Sequence, residues 1–104
     1  MLPGEPTRKK RPALVISLDV RNRFADDVLV IPSTTILRQG PTHVRLRRGE
    51  GGLPQASMLK CEHITTLSKE LLSETALGGE VSARRLEEVE RGVLRAIGIP
   101  VDPQ

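Results

Sequence analysis

At 104 residues the chain is long enough for one domain with a modest core, and 38% hydrophobic against 28% charged residues places it among globular rather than disordered sequences. A net charge of +3 excludes a histone-like mode of nucleic-acid binding, and a single aromatic, Phe24, excludes a stacking platform for successive bases. The lone cysteine, Cys61, excludes an intrachain disulfide, so the core must be built from Leu, Val and Ile without a covalent staple.

The charge is unevenly spread. Residues 1–60 hold 11 Lys/Arg against 5 Asp/Glu, and residues 61–104 hold 5 against 8. A basic first half suits a polyanion, and an acidic tail suits a separate protein partner. The chain shows neither a signal-like start nor the run of about twenty apolar residues that a membrane span requires, so a cytoplasmic protein with no membrane contact is expected.

Residues 1–12, with Pro3, Gly4, Pro6 and Pro12 around Arg8, Lys9, Lys10 and Arg11, read as a basic, extended loop. A strand-rich core is expected over 13–67. Residues 13–18 are short, apolar and rich in Val and Ile, which favours a strand. Residues 19–27 read as a turn carrying Arg21, Asn22, Arg23 and Phe24. Residues 28–31 form a second strand that is expected to stop near Pro32, since proline has no amide proton for a ladder. Ser33, Thr34 and Thr35 then present hydroxyls at its end.

Residues 42–47 alternate, so Thr42, Val44 and Leu46 face one way while His43, Arg45 and Arg47 face the other. A loop follows over 48–54. Residues 57–61 read as a strand continuing through Glu62 and His63 towards Ile64, 65–68 as a turn, and 69–72 as a single helical turn. The clearest element is a helix over 82–98: Ser82 caps it, Leu86, Val89, Val93, Leu94 and Ile97 make one stripe, and Gly98 and Pro100 stop it. Gly92, inside the helix, lowers its intrinsic propensity by about 1 kcal/mol. Residues 1–104 thus read as one mainly β domain with a C-terminal α-helix.

Several stretches in this order resemble the MazF/PemK family of toxin endoribonucleases. They are Arg11-Pro12-Ala13-Leu14-Val15-Ile16, Asn22-Arg23-Phe24, Ile31-Pro32-Ser33-Thr34-Thr35, Pro41-Thr42-His43-Val44 and Ser57 through Leu67. The end of the chain, from Gly78-Gly79 through the helix to Gly98, resembles that of the family. No single stretch is diagnostic, and the specificity lies in their order. The resemblance implies an SH3-like, partly open β-barrel of the MazF/CcdB/Kid type. It also implies a homodimer, metal-independent cleavage of single-stranded RNA without a cofactor, and a MazE-like antitoxin whose disordered segment fills the dimer groove. The family's usual opening strand, Gly-Asp/Glu-Ile-Trp/Tyr, has no counterpart in the ten residues before Arg11, and its loss would bare a neighbouring strand edge.

The resemblance matches Arg11 and Thr34 to the catalytic arginine and threonine. Arg11 suits a phosphate through its planar fork of donors, and Thr34 can donate a hydrogen bond that fixes the register of that phosphate. His63 aligns near the RNA groove, and His63 and Glu62 are candidate acid/base or base-reading groups. Glu62 either orients Arg11, contacts a base edge or is a simple strand carboxylate. Lys9, Lys10, Arg21, Asn22, Arg23, Phe24, His43, Arg45 and Arg47 are candidate RNA contacts, although Phe24, as the only aromatic, is rather expected to anchor its loop in the core. No metal site is expected, because Cys61, Glu62 and His63 are consecutive and would face alternate ways on a strand; Cys61 reads as a buried free thiol. Two other functions stay open at this point: a related toxin that poisons DNA gyrase by binding alone, and a non-catalytic nucleic-acid or regulatory module.

Overall fold

A computed structural model describes residues 11–72, 77 and 79–102. The candidate RNA contacts Lys9 and Lys10, with the rest of the basic loop before Arg11, lie outside the described residues. In chain order the elements are β1 (Ala13–Val15), α1 (Asp19–Phe24), β2 (Asp27–Thr34), β3 (His43–Leu46), β4 (Ser57–Lys60), β5 (Thr65–Ser68) and α2 (Ala83–Ala96), with 3₁₀ turns at Glu50–Gly52, Cys61–His63 and Lys69–Leu71.

Every strand pairing is antiparallel, and β2 is the hub. Along one edge of β2, Ala13, Leu14 and Val15 of β1 face Pro32, Ile31 and Val30. Along the other edge β5 pairs with the first half of β2, from Asp27↔Ser68 to Val30↔Thr65, and β4 pairs with its end through Ser33↔Leu59 and Thr34↔Met58. β3 then pairs with β4, so the path β1-β2-β4-β3 stays open. This is the mainly β, SH3-like open architecture with a C-terminal helix that the resemblance implied.

Pro32 does not end β2, contrary to the expectation that the strand stops there. Alternation explains why: the Ser33 N–H points to β1, where it donates to the Pro12 carbonyl at 3.0 Å, so position 32 points its nitrogen to the other edge. There it falls in the gap between the last β5 pair at Val30 and the first β4 pair at Ser33, where no ladder proton is needed.

Three other expectations are corrected. Residues 19–24 form a short helix rather than a turn, tied down by Asn22, which bonds the Ser17 hydroxyl and carbonyl. The strand through Ser57 ends at Lys60, and Cys61–His63 winds into a 3₁₀ turn instead of running on to Ile64. That turn redirects the chain so that Thr65–Ser68, expected as a turn, becomes β5.

The main core joins Ile31, Val44, Leu46, Leu53, Leu59, Cys61 and Val89, with Leu14, Ile16, Ile64 and Val93 packed against it. α2 lies over β3 and the Cys61–His63 turn. Its start is capped by the Ser82 hydroxyl, which accepts from the Arg85 N–H at 3.2 Å, a contact worth about 1 kcal/mol. At its end Gly98 takes a φ of +84°; its N–H reaches the Arg95 carbonyl and that of Ile99 reaches Leu94, satisfying two carbonyls that the helix leaves open. Phe24 is 82% exposed, so the chain's only aromatic does not anchor α1 in the core.

Gly92 has a packing reason. A Cβ there would lie 2.6 Å from Cys61 Sγ and 3.2 Å from Cys61 Cβ, so the helix rests directly on the buried thiol. Gly92→Ala should therefore destabilise the fold by about 1–3 kcal/mol, outweighing alanine's propensity gain of about 1 kcal/mol. Chemical denaturation of Gly92→Ala, Cys61→Ala and the double variant should show coupling, with the double variant more stable than the two single losses predict.

Candidate active site

The end of β2 and the start of β1 meet at one carbonyl. Pro12 O accepts both the Ser33 N–H at 3.0 Å and the Ser33 hydroxyl at 2.7 Å. Ser33 is buried, and this double contact fixes the residues on either side of it: Arg11 ahead of Pro12, and Thr34 after Ser33. The Thr34 hydroxyl oxygen accepts from the Ile36 N–H at 3.2 Å, which orients it and leaves its own proton available to a ligand.

Two clefts open at this junction, and Arg11, Ser33 and Thr34 line both. The larger, of about 360 Å³, is completed by Pro12, Thr35 and Ile36 on one side and by Pro54, Gln55 and Ser57 on the other. The smaller, of about 200 Å³, is completed by Pro32, Lys60 and His63. Three sequence candidates, Arg11, Thr34 and His63, are thus brought together. Gln55, Ser57 and Lys60 were not singled out from the sequence; the signal that finds them is the β2–β4 register, which sets the ends of β4 beside Thr34.

The other candidates fall elsewhere. Glu62 lines neither cleft, and it neither touches nor orients Arg11. One of its oxygens accepts from the Thr42 hydroxyl at 2.6 Å and the other meets His43 Nε2 at 3.2 Å. These bonds, Thr42's foremost, outweigh partial burial and hold the Glu62 carboxyl down to about 2, so it is a fixed anion rather than a proton donor at neutral pH. His43 in turn meets the Arg38 carbonyl through Nδ1 at 2.6 Å. Its side chain is only 12% exposed, and it clasps the β2–β3 loop instead of standing free on the surface.

Arg21 is committed to Asp27, through the carboxylate at 2.6 Å and the backbone carbonyl at 3.0 Å, and Asn22 to Ser17. Both side chains thus have partners within the fold. Arg23 and Phe24 are exposed on α1, outside both clefts. Arg45 is exposed and faces Met58, which faces Thr34 in turn, so Arg45 shares the sheet face of Thr34 two strands away, roughly 10 Å. Arg47, also exposed, has its backbone N–H held by Glu50 at 2.7 Å. Cys61 is buried, and desolvation followed by the Glu62 charge pushes its thiol up to about 11, which leaves it inert. Among the described residues no three His, Cys, Asp or Glu side chains converge as a metal site would require, and no helix is long and apolar enough to cross a membrane.

Residues 2–97 match the family model of the PemK-like, MazF-like toxins of type II toxin-antitoxin systems. The chain belongs to this family. It is 36% identical over 99 residues to the endoribonuclease MazF6 of Mycobacterium tuberculosis, covering 92% of this chain and 85% of that protein. Its fold is similar to that of an endoribonuclease from a mycobacterial species solved in complex with its cognate antitoxin, at a TM-score of 0.75 and 28% identity over 88% of this chain and 84% of that one. It also overlays the M. tuberculosis toxin MazF-mt6, at a TM-score of 0.77 and 24% identity over 88% of this chain and 89% of that chain.

The Glu62 clasp has a pH signature. A carboxyl lowered from 4.5 to about 2 by folding contributes stability that is present above the unfolded value and is lost as pH falls towards 2. Wild type should lose stability between about pH 4.5 and 2. Glu62→Gln should lose that part of the pH dependence, which acid denaturation followed by circular dichroism would measure.

Proposed function

We propose that this toxin-family member is an endoribonuclease that cuts single-stranded RNA at the junction of Arg11 and Thr34, without a metal ion. The observation that carries the reading is that one guanidinium and one orientated hydroxyl line both clefts. In the reaction the 2′ oxygen bonds to the adjacent phosphorus and the bond from phosphorus to the 5′ oxygen breaks. The 2′ proton leaves to an acceptor and a proton reaches the departing 5′ oxygen. The products are a 2′,3′-cyclic phosphate and a 5′-OH.

The charge to be stabilised develops on the non-bridging oxygens. A guanidinium keeps its charge at all working pH values and offers parallel donors, so Arg11 serves as the electrostatic clamp and not as the base. Thr34 donates its hydroxyl proton to the same phosphate and sets its register. His63, at the rim of the smaller cleft, is the side chain whose type passes protons near neutrality.

A second copy of the chain and an antitoxin belong to the same proposal. The mycobacterial relative solved with its cognate antitoxin supports a partner of that kind. The exposed Ile36, Leu37, Ile97 and Ile99 supply apolar surface for such contacts.

Incubating a long, largely unpaired RNA in EDTA with wild type, Arg11→Ala and Thr34→Ala tests the reading. Discrete cuts by wild type should fall by at least about 100-fold in each variant, the usual cost of losing one transition-state donor. Cuts should carry 2′,3′-cyclic phosphate and 5′-OH ends. Equal cutting by all three proteins would overturn the assignment.

A further inference from the structure

Among the described residues the smaller cleft is lined by Arg11, Pro32, Ser33, Thr34, Lys60 and His63, none of them a carboxylate. A guanidinium, a lysine ammonium and an imidazole therefore share a space of about 200 Å³ with hydroxyls and a proline ring. Like charges crowded in this way repel one another, and an anion is what relieves them. The larger cleft, by contrast, adds only neutral groups among the described residues, namely Pro12, Thr35, Ile36, Pro54, Gln55 and Ser57.

The strand register fixes where the additional cation stands. Thr34 is directly opposite Met58 across the β2–β4 ladder. Lys60, two residues further along β4, is the diagonal neighbour of Thr34 on the same face of the sheet, at about 7–8 Å between backbones. That offset is comparable with the step between successive phosphates of an extended RNA strand. Lys60 is also the last residue of β4, immediately before the 3₁₀ turn that brings His63 to the same cleft. Its stem is half-buried, which restricts the ammonium to the cleft side and reduces the entropy lost on binding.

We propose that Lys60 binds the RNA phosphate next to the scissile one, so that the smaller cleft is a phosphate subsite that fixes how the strand threads past Arg11 and Thr34. This inference rests on the nuclease reading for the location of the cut, but it is tested by binding and not by cutting. Lys60 is a substrate-binding residue; the bond changes at phosphorus remain the work of the Arg11–Thr34 junction.

The test uses a fluorescently labelled, unstructured RNA and the Thr34→Ala protein, which holds the strand without cutting it. Affinity is measured across a potassium chloride titration with Lys60 intact, with Lys60→Met and with Lys60→Arg. Each phosphate contact on a single strand contributes about 0.7 to the slope of log affinity against log salt. Lys60→Met should weaken binding and lower that slope by about 0.7, and Lys60→Arg should keep it. Thermal melts monitored by circular dichroism establish that all three proteins are folded.

An unchanged slope in Lys60→Met overturns the proposal. A loss of affinity in Lys60→Arg equal to that in Lys60→Met overturns it too, because it would mark a packing role. No measurable RNA binding by the Thr34→Ala protein overturns it as well. Failure of the nuclease reading has a different signature: wild type leaves RNA uncut in EDTA whatever the salt slopes are.

Discussion

The site depends on one backbone carbonyl. Pro12 O takes two hydrogen bonds from Ser33, one from the amide and one from the hydroxyl, in a place where Ser33 is buried and water cannot substitute. Buried polar contacts of this kind add modestly to net stability, but breaking one is costly because its partner is left unsatisfied. Here the pair joins the end of β2 to the residue before β1, and thereby sets an arginine and a threonine that are far apart in sequence on one edge. The rest of β2 serves that arrangement by pairing on both sides, which leaves it little freedom to slip in register.

Much of the architecture was legible where periodicity and punctuation agreed. The alternation in β3 predicts its buried Val44 and Leu46, and the Ser82 cap, apolar stripe and Gly98 stop predict α2. The failures are short elements. α1 is six residues long with none of them buried, so it leaves no apolar stripe to read. β5 exposes three of its four residues and resembles a turn in composition; its pairing with β2 makes it a strand. Pro32 was read by its local chemistry as a stop, when its meaning is set by which edge of the strand its nitrogen faces.

The site divides along a similar line. Arg11, Thr34 and His63 were found through the family resemblance, and the fold brings them to one shared cleft. Isolated residue types do not reveal the tertiary partners that engage them. Arg21 and Asn22 are held by Asp27 and Ser17, and Glu62 is kept ionised by Thr42 and His43. The acidic second half also changes meaning. On α2 Arg85 bridges Glu50 and Glu88, and Arg91 pairs with Glu87, while Arg95 holds Asp102 beyond the helix, so much of that charge is neutralised within the fold. Exposed pairs of this type contribute little stability each, and their effect is to soften the acidic field of the helix.

Pro32 carries a consequence beyond the path of β2. Its ring borders the smaller cleft at a position, between the β5 and β4 pairings, where β2 would otherwise aim a main-chain proton. With that proton missing, β2 offers no amide of its own there, and attraction for a negatively charged guest falls to the side chains around the rim. Selectivity at such a doorway can be retuned by exchanging single residues while the sheet beneath keeps its shape.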